Sequence, residues 1–170
     1  AWGNWMLESN NSEGIQRAFS MLLHYGEQRH NRLMIGVAQW GLANYYLHLG
    51  QQEAAREAAN QSVLLLDSLP NLRERQDALF SRASISITLA EYHSARQDLE
   101  TAIEISAQAT DRQILRSRSL SEMVLATLFT LTGQPIKGEK MGWQARQDAQ
   151  RIHSLYAESS ALVALSMAAF

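Results

Sequence analysis

Residues 42–70, "LANYYLHLGQQEAAREAANQSVLLLDSLP", decide the fold. Leu42, Tyr45, Tyr46 and Leu49 stand at helical spacing before Gly50. Ala54, Ala55, Ala58, Ala59, Ser62, Val63 and Leu66 stand at helical spacing after it, and Pro70 stops the run. Apolar residues three and four apart build one face of a helix. A single glycine between two such faces turns the chain back on itself, because the residue after a helix is left-handed and a Cβ is penalised there. The stretch therefore reads as a helical hairpin lined by alanine.

The hairpin recurs. Gly50 closes "YYLHLG", Ala90 closes "SITLA", Gly133 closes "LFTLTG", and Asn10 closes "WMLESN". Five residues after each lies an apolar or small residue: Ala55, Ala95, Gly138 and Ile15. The four turns are separated by about 40 residues, the period of a stack of helix pairs. Ala90 departs from the glycine pattern, so a tighter or frayed turn is expected there. Ser12 is placed to cap a helix, and Pro135 suits a first helical turn. Nine helices follow, at about 1–9, 12–29, 31–49, 51–68, 71–89, 92–109, 111–131, 135–153 and 155–170. The helix at 31–49 is apolar nearly all round, as an inner helix should be. The helix at 92–109 sets Tyr92, Ala95, Leu99, Ala102 and Ile103 against Arg96, Asp98, Glu100 and Glu104, as an outer helix should.

Composition agrees with a globular all-α chain. The 170 residues include 46% hydrophobic and 19% charged residues and only two prolines, and they carry few β-branched runs. A net charge of −2 gives no electrostatic reason to bind nucleic acid or anionic membrane. No stretch is long and apolar enough to insert into a membrane. The absence of cysteine excludes thiolate metal sites, disulfides and cysteine nucleophiles. The opening "AWGNWMLES" has neither a basic region nor a long apolar run, so it is no signal peptide. A cytoplasmic location is the expectation.

These units resemble the tetratricopeptide repeat. Gln39, Leu42-Ala43, Tyr46, Ala55 and Ala59 follow its pattern in one unit. Leu79, Ala83, Ser86, Ala95, Leu99 and Ala102 follow it in the next, and Leu125-Ala126, Phe129, Gly138, Gly142 and Ala145 in a third. The units are longer than the usual repeat, like those of bacterial regulators and sensor segments. The resemblance implies a right-handed superhelical solenoid of antiparallel helix hairpins. It also implies one repeat domain over 1–170, of about four hairpins with the last incomplete, and the missing initiator Met leads us to expect a fragment of a larger protein.

The resemblance further implies that inner helices line a concave surface holding a protein or peptide segment. By position, that surface would present Val37, Trp40, Asn44, Asp77, Phe80, Ser84, Leu120, Met123 and Thr127. Asn44 stands where peptide-binding relatives keep an asparagine for the ligand backbone. His48 and Thr88 replace the cations of their carboxylate clamp. A second reading is a dimerisation platform regulating an attached effector, such as a cyclic-dinucleotide synthase or a transcription regulator.

Chemistry is thin by comparison. Glu27 and His30 form one Glu-x-x-His, where a di-iron bundle requires two. No phosphate loop, nucleophile elbow or zinc motif occurs. No catalytic residue, cofactor or metal is expected. Arg73, Arg75, Arg112, Arg116 and Arg118 gather before or at the start of inner helices, where stacked repeats would align them as an edge for an anionic partner. Glu74, Asp77, Asp111 and Glu122 are near enough to neutralise it. Finally, "SLYAESSALVALSMAAF" (154–170) looks like an inner helix stopped in mid-pattern. A homodimer through that helix, or further helices after Phe170, would cover it.

Overall fold

The computed structural model describes residues 12–169, and among these every regular element is a helix. The expected helix at 1–9, with Asn10, lies outside the described residues. The eight helices are α1 Ser12–Gln28, α2 Arg32–His48, α3 Gln52–Leu66, α4 Leu72–Thr88, α5 Tyr92–Ile105, α6 Arg112–Leu131, α7 Pro135–Arg151 and α8 Leu155–Ala168. They match the expected spans, with ends drawn in by up to four residues. Helix α5 closes at Ile105, followed by Ser106, whose hydroxyl bonds back to the carbonyls of Ala102 (2.8 Å) and Ile103 (3.0 Å). A side chain folded onto the helix end competes with continuation of the backbone ladder.

The chain divides into two compact units, one ending at Leu89 and one beginning at Ala90. In the first, α1 packs on α2, α2 on α3 and α3 on α4, and α2 also packs on α4. In the second, α5 packs on α6, α6 on α7 and α7 on α8, and α6 also packs on α8. Contact between alternate helices is what makes α2 and α4, or α6 and α8, an inner layer.

Turn chemistry explains where the helices stop. Gly50 and Gly133 have φ of +71° and +76°. At each, the next N–H reaches back to a carbonyl five residues earlier: Gln51 to Tyr46 (2.9 Å) and Gln134 to Phe129 (2.8 Å). Such paired bonds satisfy carbonyls that the helix end would orphan. His30 (φ +50°) and His153 (φ +51°) make the same turn before α2 and α8, with Asn31 bonding Gly26 and Ser154 bonding Ala149. Ala90 is left-handed too, at φ +59°. The expected tighter turn is therefore the ordinary one, made by a residue that carries a Cβ into it. Three of the four inner helices then restart on capping side chains: Asn31 accepts from Met34 (3.0 Å), Asp111 from Gln113 (2.8 Å), and Ser154 from Ala157 (3.3 Å), while α4 follows Asn71 without such a bond. Pro135 opens α7 as expected.

Small residues set the helix spacing. Ala43, Ala55, Ala58, Ala59 and Ile85 form a sealed cluster in the first unit, with Tyr46, Leu47 and Leu89 around it. The hydroxyl of Ser62 on α3 donates to the carbonyl of Gly36 on α2, 2.8 Å away. In the second unit the polarity reverses, with Ser119 on the inner helix α6 donating to Ala145 on α7 (2.9 Å). A similar reversal governs larger side chains. A Cβ on Gly41 of α2 would strike the ring of Phe19 from α1, whereas a Cβ on Gly142 of α7 would sit 2.9 Å from Leu165 of α8. One helix offers the bulk and its neighbour the gap, so interior density is kept.

Candidate functional site

The nine residues expected on the inner surface lie on three helices: Val37, Trp40 and Asn44 on α2, Asp77, Phe80 and Ser84 on α4, Leu120, Met123 and Thr127 on α6. All nine are half-buried. Their local geometry repeats. Asn44 Nδ2 donates to the Trp40 carbonyl (2.8 Å), Ser84 Oγ to Phe80 (2.9 Å), and Thr127 Oγ1 to Met123 (3.1 Å). Each polar group is folded onto the preceding turn of its own helix, a bond common to short polar side chains in helices. Because a carbonyl accepts, Asn44 must present its amide nitrogen there. Its Oδ1 and second N–H are directed elsewhere.

Trp40 is fixed from one side. Its ring meets Phe19 edge-on, centroids 6.2 Å apart, and Phe19 itself covers Gly41. Such pairs add modestly to area burial. Asp77 lies 3.8 Å from Arg73 one turn earlier, a partly exposed pair of small energetic weight.

A further row was missed by sequence reasoning. The turns His30-Asn31 and His153-Ser154 are equivalent, which sets α8 in register with α2. Ser160, Val163 and Met167 then occupy the places of Val37, Trp40 and Asn44. Val163 and Met167 are exposed, and Ser160 Oγ bonds back to Tyr156 (2.9 Å). The recurring histidine followed by a capping residue was the available signal.

The expected arginine edge is corrected at one position. Arg118 lies inside the second unit, 6% exposed. Its Nε and Nη2 reach Asp148 Oδ2 at 2.6 and 2.5 Å, and its Nη1 donates to the carbonyls of Ser106 (2.9 Å) and Ala107 (3.1 Å). It thus ties the end of α5 to α7 through α6 and offers nothing to a partner. Glu122, expected to neutralise that edge from the surface, is buried beside it. Arg73 and Arg112 are exposed, and Arg75 and Arg116 half-buried. Arg75 pairs with Asp67 at 2.9 Å, beside a crevice lined by Val63, Leu66 and Leu79 that is too narrow to admit water.

Among the described residues, no group of three or more His, Asp or Glu could hold a metal. No helix among them is long and apolar enough to cross a membrane.

Residues 76–108, from within α4 to just past α5, match the tetratricopeptide repeat pattern. Leu79, Ala83, Ser86, Ala95, Leu99 and Ala102, the positions that carry the pattern, are all buried. The chain has a tetratricopeptide-like repeat fold. Two crystal structures of kinesin light chain nearly identical TPR-like repeats from Podosopora anserina, one of them a single-substitution variant, superpose over it. The variant gives a TM-score of 0.75 and the other 0.74, each at 16% identity and covering 98% of this chain. The matches cover 81% and 82% of those chains. At that identity they speak for the fold. No curated protein matches the sequence. Tetratricopeptide repeats generally serve protein–protein interaction and are generally not catalytic. In such a fold, Glu122 stands out, because it occupies the place where Leu79 stands in the matched unit.

Proposed function

We propose that this chain is a protein-interaction module of a larger regulatory protein, and that the inner helices of each unit offer a surface for a peptide or helix of the partner. What supports the reading is the repetition of one surface motif: an apolar residue followed four later by a polar one bonded to it, at Trp40–Asn44, Phe80–Ser84 and Met123–Thr127. Apolar anchors give affinity, while the remaining polar capacity of the second residue fixes a ligand's orientation. A photo-crosslinking side chain at Asn44 or Ser84 should label a selected peptide ligand. The same group at Leu64, 73% exposed on α3, should not. Equal labelling at all three positions would overturn the assignment.

A second reading has its own support. Helix α8 exposes Leu155 (84%), Val163 (60%) and Tyr156 (56%), more apolar surface than a lone helix ordinarily presents to water. A module that pairs through α8 would cover it and could position an attached effector domain. Light scattering across a concentration series, with Leu155→Glu/Val163→Glu as the control, separates a dimer from a monomer. A monomer throughout would remove this reading and leave the first intact.

A further inference from the structure

Helix α6 carries a carboxyl group that its surroundings leave half unanswered. Glu122 is 2% exposed. Its Oε1 lies 3.8 Å from Arg118 Nε, and its Oε2 is buried with no hydrogen-bond partner. Arg118, one turn earlier, is already committed to Asp148 and to the carbonyls of Ser106 and Ala107. Asp148 also accepts from Arg151 Nη1 at 3.2 Å, but the Arg151 side chain reaches outward and is 64% exposed. On α8, Glu158 is occupied by Arg146 (3.3 Å) and Gln150 (2.7 Å). Two carboxyl groups thus share one buried guanidinium, and Asp148 holds it.

We propose that Glu122 is a proton-coupled latch on the α6–α7 hairpin: closure keeps a proton on this carboxyl group, and opening releases it. A neutral carboxyl group is tolerated in a dry interface. An ionised one without donors is not. Burial, reinforced by the negative charge of Asp148 and opposed by Arg118 and Arg151, raises the Glu122 carboxyl from an ordinary 4.5 to about 8. The sign follows from linkage. A carboxyl group raised on folding supports the closed state fully below 4.5, and that support is lost as pH rises through about 8. Within this window the opening equilibrium rises about tenfold per pH unit, and above it the rise stops.

The test is native-state hydrogen exchange on the full chain from about pH 5 to pH 9, corrected for the intrinsic rate, in wild type and Glu122→Gln. Wild-type amides of α6 and α7 should open progressively more up to about pH 8 and level off there, while α2 and α3 stay flat. Glu122→Gln should flatten α6 and α7 as well. Infrared difference spectra should show a protonated carboxyl band at neutral pH in wild type that the variant lacks. Identical exchange profiles in the two proteins, or no such band, would overturn the proposal.

Discussion

Arg118 and Asp148, thirty residues apart, meet inside the second unit with Arg118 Nε and Nη2 both on Asp148 Oδ2, at 2.6 and 2.5 Å. Arg118 is the one of the two without a substitute: it also stands 3.8 Å from Glu122, so its loss would leave two carboxyl groups in a dry place. Removing one partner of a buried pair costs about 3–5 kcal/mol, much more than an exposed pair is worth. Arg118→Ala, which strands both Asp148 and Glu122, should therefore lower the stability of the second unit by that order in chemical denaturation. Arg73→Ala, which breaks only a 3.8 Å partly exposed contact, should change it by less than about 1 kcal/mol.

Ala90 and Gly50 adopt the same left-handed turn with different side chains, which makes them a matched pair. Ala90→Gly should raise stability by up to about 1 kcal/mol, the relief of the Cβ strain offset by greater freedom in the unfolded chain. Gly50→Ala should lower it by about the same amount, although a Cβ there meets nothing within 4 Å. Calorimetric melting of the two variants reads both signs.

Ala55 is fully buried in the cluster with Ala43 and Ile85. A leucine there has no space to enter, and overpacking a filled interior costs about 1–3 kcal/mol. The same cost is expected for Ala95→Leu, since Ala95 is equally sealed. Unchanged urea midpoints in these variants would contradict the alignment of the repeats.

Trp40 is half-buried and in edge contact with Phe19, so its loss has two parts. Trp40→Ala should destabilise the first unit by about 1–3 kcal/mol, less than a fully buried aromatic. Asn44→Ala removes only a bond to its own helix and should leave melting nearly unchanged. If the inner surface binds a peptide, both variants should weaken that binding in titration calorimetry. Weakening by Trp40→Ala alone would confine the contact to the aromatic anchor.

Much of this fold was legible because its rules are local. Gly50, Gly133 and Pro135 announce turns through backbone geometry, and the spacing of Ala55, Ala58 and Ala59 announces a buried face. Arg118 and Glu122 were illegible for the opposite reason. At helical spacing an arginine and a glutamate are ordinary surface company, and only Asp148, brought up by a hairpin thirty residues long, takes them inside. At Ala90 the residue type points away from the left-handed turn that the period demands. Candidate inner-surface positions follow from the repeat, but the bonds folding Asn44, Ser84 and Thr127 onto their helices depend on rotamers that residue spacing does not fix.

The reversal between Phe19–Gly41 and Gly142–Leu165 bears on how such a chain can be altered by recombination. A helix that carries the bulk fits only a neighbour with a gap, so the helices here are not interchangeable parts. Grafting α7 in the place of α1 would bring Gly142 opposite Gly41 and leave a hole. Grafting α1 in the place of α7 would drive Phe19 into Leu165. A helix moved to the other position must therefore be matched by a paired substitution on the helix it packs against. The order of the helices is written into their side chains as well as into the connecting turns.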